Sequence, residues 1–115
     1  MRSREYCLAL AALWLAVGCG SFHDMRARGA YRKNDLDSAE TINQEALAED
    51  PNDLDARKLG AQIATKRGVD ALDKGDLKKA ETYFRKATEL NPADAVAADY
   101  LKLVEGELKR QSVSY

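Results

Sequence analysis

Apolar positions recur along this chain at helical spacing and are interrupted by short turn sequences. Leu36, Ala39, Ile42 and Ala46, with Leu47 beside the last, step by threes and fours and predict a helix over 36–49. Leu59, Ile63, Ala64, Ala71 and Leu72 predict a longer one over 54–74, and Ala80, Phe84 and Ala87 a third over 77–90. Val96, Tyr100, Leu101, Val104 and Leu108 predict a last helix over 95–109. Phe22, Met25, Ala30 and Tyr31 predict one before all of these, over 22–33. Each break has a chemical reason. Asn34-Asp35 and Gly75-Asp76 pair a turn former with an aspartate suited to cap the next helix. Pro51 and Pro92 end helices because proline cannot donate to the ladder. Helices therefore account for the whole patterned part of the chain, and the fold class is all-α.

The pattern is also an internal repeat. Residues 34–51, NDLDSAETINQEALAEDP, and 75–92, GDLKKAETYFRKATELNP, are two copies of one string. Ala39/Ala80, Ala46/Ala87 and Pro51/Pro92 each stand 41 apart. Self-similarity at a fixed period of this size signals stacked helical hairpins, here two units and a further half. Periodicity alone also admits a plain antiparallel bundle.

The first twenty residues follow another rule. Arg2 and Arg4 precede Cys7–Val17, an unbroken apolar run of eleven. That is short of the about 20 residues a spanning helix needs. A basic start, a short apolar run and small residues after it predict an export signal over 1–18. Cys7 lies inside that signal, which leaves Cys19 as the one cysteine of the exported chain. No disulfide can then form within one chain, and a single leftover thiol in an exported chain needs explaining, with an intermolecular bridge as one use of it.

Charge adds little globally and more locally. The formal net charge of −1 gives no field for nucleic acid. From 34 to 56 there are eight acids and no base, read as a solvated face with a docking surface for a basic partner as the alternative. Arg26, Arg28, Arg32 and Lys33 stand against the lone Asp24. They read as a solvated helix face or as contacts to lipid phosphates.

Chemistry for catalysis is thin. His23 is the lone histidine, no His/Cys cluster has metal-ligand spacing, and no serine has a base and orienter. Gly68 and Gly75 suit helix packing and a turn, not a phosphate loop. The chain reads as a binding or structural protein without cofactor or metal.

Two resemblances sharpen this. Ala64-x₂-Arg67-Gly68-x₂-Ala71, followed by Ala80-x₃-Phe84, Ala87 and Pro92, resembles the tetratricopeptide repeat, a 34-residue helical hairpin. Ala64, Arg67 and Ala71 replace its large residues. The earlier copy keeps Ala27, Ala39, Ala46 and Pro51, with Asn43 for the aromatic. The resemblance implies a short α-solenoid over 22–110 with a C-terminal capping helix and a frayed tail at 111–115. Its small residues would let helices approach, and the seven residues beyond 34 would lengthen the helix from Leu54 by two turns. It further implies a groove for a peptide or partner helix, lined by Arg28, Tyr31, Arg32, Thr65, Val69, Leu72, Asp73 and Leu103.

Ala16-Val17-Gly18-Cys19 resembles the lipobox of bacterial lipoproteins, with Ala16 where that family usually has Leu. It implies a lipidated Cys19 at the mature N-terminus carrying acyl chains, and a tether of only 19–21. In a Gram-negative host, Gly20 would direct it to the periplasmic face of the outer membrane. Cleavage near Gly18 or Gly20 without lipidation would instead release a soluble protein. Together they imply a membrane-anchored adaptor for an envelope protein or peptide, or a structural lipoprotein that self-associates.

Overall fold

The computed structural model describes residues 23–113. The expected signal at 1–18, Cys19 and its tether, Phe22, and residues 114–115 of the expected tail lie outside the described residues. Within them every regular element is a helix: α1 (23–32), α2 (Leu36–Glu49), α3 (Leu54–Asp73), α4 (Leu77–Leu90) and α5 (Ala95–Val113). The protein is all-α, built of repeated helical hairpins. The chain divides after Asp53 into a first unit with α1 and α2 and a second with α3, α4 and α5.

The corners are made the same way in both copies. Asn34 and Gly75 take positive φ, 61° and 76°. In each, two backbone bonds close the preceding helix: Asn34 to Tyr31 and Asp35 to Ala30, then Gly75 to Leu72 and Asp76 to Ala71, all 2.9–3.0 Å. This is the Schellman arrangement, with the left-handed residue just past the helix end. The aspartate that follows then starts the next helix. Asp35 accepts from the Ser38 N–H at 3.2 Å and Asp76 from the Lys79 N–H at 3.1 Å. The proline corners repeat too. Asp53 donates to the Asp50 carbonyl and Asp94 to the Asn91 carbonyl, each across a turn with proline at its second position. Asp94 also accepts from the N–H groups of Val96 and Ala97, capping α5.

In the first unit, His23 near the described start of α1 reaches Glu45 and Glu49 near the end of α2, so the pair is antiparallel. Among its described residues Ala27, Ala39, Asn43 and Ala46 are buried.

The second unit holds two clusters. Ala61, Ala64, Ala87 and Ala97 form one, with Leu90 against it. Ala71, Ala80, Phe84 and Val104 form the other, flanked by Val69, Leu72, Leu77, Tyr100, Leu101 and Leu108. Arg57 closes the far end. Its guanidinium donates to the carbonyls of Leu90 at 3.1 Å and Glu89 at 3.0 Å, the last of α4, where a cation meets the negative end of the helix dipole.

α3 has 20 residues against 14 in α2 and α4, so the extra two turns lie in this helix as expected. α5 has 19 and repeats that length. Its outer face is different. Forty-one residues after the small residues Ala61, Ala64, Gly68 and Ala71 stand Lys102, Glu105, Lys109 and Ser112, all exposed. A polar outer face of this kind is what a capping helix of such an array presents.

Two boundaries differ from the sequence reading. α3 ends at Asp73, one residue before Lys74. α5 runs beyond Lys109 to Val113, because Gln111, Ser112 and Val113 include no glycine or proline to stop it; the added residues are exposed.

Candidate functional site

The residues expected to set helix packing fall into two groups. Ala27, Ala39, Ala46, Gly68, Ala80, Phe84 and Ala87 are buried, whereas Pro51 and Pro92 are exposed at the corners they make. Gly68 is the tightest point. A Cβ there would stand 2.6 Å from Cε1 of Phe84 and 2.8 Å from both Cδ1 and Cζ. The ring cannot withdraw freely, because Tyr100 of α5 stacks on it with centroids 4.9 Å apart and planes 4° from parallel. One aromatic pair therefore ties three helices. Tyr100 reads in the sequence as one more apolar position, and no local signal marks its partner.

The expected groove residues separate by unit. In the first, Arg32 is exposed, Tyr31 is half-buried, and Arg28 pairs with Asp24 at 3.2 Å. In the second, the Thr65 hydroxyl donates to the Ala61 carbonyl at 2.9 Å and so is engaged by its own helix. Val69 and Leu72 are half-buried against the Phe84 cluster, and Asp73 is exposed at the end of α3. Leu103 is 63 % exposed, and Val96, seven residues earlier on the same face of α5, is 58 % exposed. At Gly106, on the next turn, an added Cβ would meet no atom within 4 Å. Two large apolar side chains in water on one helix face are the feature here that folding does not explain.

Polar chemistry does not converge. His23 has a carboxylate on each ring nitrogen, Glu49 3.5 Å from Nδ1 and Glu45 3.8 Å from Nε2. That arrangement flanks the ring with two carboxylates and leaves Nδ1 without a hydrogen bond. It does not gather three ligands on one side as a metal would need. Among the described residues no three His, Cys, Asp or Glu side chains could hold a metal ion. A cleft of about 270 Å³ where α3 turns into α4 is lined by Arg67, Asp70, Lys74, Asp76, Lys79 and Tyr83. Its charges alternate in sign, and Asp76 is already committed as a helix cap. No helix among the described residues is long and apolar enough to cross a membrane.

Residues 61–94 match the family described as Tetratricopeptide repeat. The match takes in α3 from Ala61, all of α4 and the Asn91–Asp94 turn. It begins seven residues inside α3, which places the extension from Leu54 to Gly60 outside the standard unit, where Arg57 uses it to close α4. The Gly68–Phe84 contact and the buried Ala80 and Ala87 all fall within the segment that matches this family, whose repeats typically bind protein partners. A comparison of the chain with curated proteins found no match.

Proposed function

We propose that this protein is a membrane-anchored tetratricopeptide adaptor that holds a protein or peptide partner in the cell envelope, without catalysis of its own. The exposed Val96 and Leu103 on α5 carry the binding half of that reading. Together with the half-buried Val69 and Leu72 on α3, they offer apolar contacts to an amphipathic or extended ligand. The lipobox-like Ala16–Cys19 stretch supports the anchoring half, with acyl chains on Cys19 as the only attached groups. Several chains make such an anchor effectively permanent. Gly20 favours the periplasmic face of the outer membrane in a Gram-negative host.

A photo-crosslinking residue placed at Leu103, with Lys86 on the exposed side of α4 as control, tests the binding half in growing cells. A discrete adduct from position 103 that is absent from position 86 is the expected result. An adduct of twice the chain mass would favour the structural alternative, in which the helices self-associate. No adduct at either position counts against both. For the anchor, Cys19→Ser should leave the membrane fraction; its retention there at wild-type levels would sink the claim, and a wild-type chain found soluble would favour unlipidated export.

A further inference from the structure

The first unit segregates its charge by helix. Arg26, Arg28, Arg32 and Lys33, all exposed, are the only bases among residues 23–53 and fall on α1 and its last turn. Residues 34–53 carry seven acids and no base. α1 buries Ala27 and keeps His23 and Tyr31 half-buried, so its opposite face is the exposed one. That face carries Met25, 71 % exposed, with Arg28, which pairs with Asp24 on the same helix, one turn further on and Arg32 two turns on. A bare methionine among arginines has no role in the hairpin's packing. It suits an interface that is apolar below and anionic at its rim.

From this we propose that the exposed face of α1 lies on an anionic phospholipid surface, with Met25 at the headgroup–acyl boundary and the neighbouring cations on lipid phosphates. The proposal rests on the anchoring reading for proximity: Met25 follows Cys19 by six residues, a reach of about 20 Å at most. Charge complementarity selects the lipid, since each Lys or Arg near an anionic surface adds to the attraction. The same segregation sets orientation, because the acids of α2 and its turns are driven away from the surface that draws α1 in.

Met25 is also the probe. It and Met1 are the only methionines, so the chain without its signal has one. The full chain, purified with its anchor, is reconstituted in phosphatidylglycerol or phosphatidylcholine vesicles and treated with dilute peroxide, and sulfoxide formation is followed by mass spectrometry. Oxidation of Met25 should be about fivefold slower on phosphatidylglycerol than on phosphatidylcholine. Arg26→Gln/Arg32→Gln/Lys33→Gln should abolish the difference while the protein still floats with both vesicles. Equal rates on the two lipids in floated wild-type protein would overturn the proposal and leave the basic face to an acidic protein. Protection that survives the triple substitution would overturn it as well. Failure to float with phosphatidylcholine would speak against the anchor alone; flotation with phosphatidylglycerol that the triple variant loses would then still support the contact, and no flotation would refute it.

Discussion

Gly68→Ala isolates the contact that ties α3, α4 and α5. The added Cβ would meet three carbons of the Phe84 ring at 2.6–2.8 Å, about 1 Å inside the ~3.5–4.0 Å at which carbon atoms rest. Phe84 is fully buried and backed by Tyr100, so relief requires moving both rings or spreading the helices. Overpacking of this kind costs roughly 1–3 kcal/mol. Replacing an interior helical glycine by alanine returns about 1 kcal/mol. The expected net loss is up to about 2 kcal/mol, or up to roughly 15 °C in Tm for a domain of this size. Guanidinium unfolding followed by far-UV circular dichroism measures it, with an unchanged m-value showing that stability alone has moved. A second arm guards the logic. In a Phe84→Leu background the ring is gone, and Gly68→Ala should become neutral or stabilising. The chain has made a similar exchange itself: Ala27 and Asn43, both buried, stand at the two matching positions of the earlier copy. If Gly68→Ala in the wild-type background gains the full helix-propensity increment, the seam is not tight and the argument fails.

Two further perturbations test the corners and the extension. Arg57→Ala should lower the urea midpoint by an amount corresponding to about 1–2 kcal/mol, since two carbonyls at the end of α4 lose a cationic donor. Arg57→Lys should recover less than half of that, because an ammonium cannot span both oxygens as the guanidinium fork does; full recovery would refute the capping role. At Asp35, the Ser38 hydroxyl and then the Ser38 N–H hold the carboxyl below its ordinary value. The sign follows from linkage. The stabilisation is complete above the unfolded carboxyl's pKa near 3.9 and is lost as pH falls through the lower folded value. Asp35→Asn keeps an acceptor that does not titrate, so it should flatten the acid limb of a Tm–pH curve as pH falls below the ordinary carboxyl range. Parallel limbs for the two proteins would show that the bond does not matter.

Local chemistry made much of the fold legible. The bounds of α2 and α4 follow from a left-handed residue and an aspartate at one end and a proline turn at the other, all within six residues of the helix they limit. The extension of α3 was legible because its seven residues displace every later landmark equally. Pairings across the chain were not. Arg57 reaches Leu90 over 33 residues, Tyr100 finds Phe84 on another helix, and His23 lies between Glu45 and Glu49. None has a period, since side-chain direction and helix approach decide them. The groove residues were legible only as helix positions. Whether Val69 and Leu72 face a ligand or the core depends on how far α5 covers them, and the structure leaves them half-covered while Leu103 stays in water.

Asp35 and Asp76 each finish one helix and begin the next, and that economy constrains how the chain can vary. There is no spare residue at these corners to absorb an insertion. One added residue between Gly75 and Leu77 would turn the face of α4 by about 100° and carry Ala80, Phe84 and Ala87 out of register with α3. Seven residues added inside α3 turn its face by only about 20°. The chain's length can therefore change by whole pairs of turns within helices, while its corners tolerate no added residue.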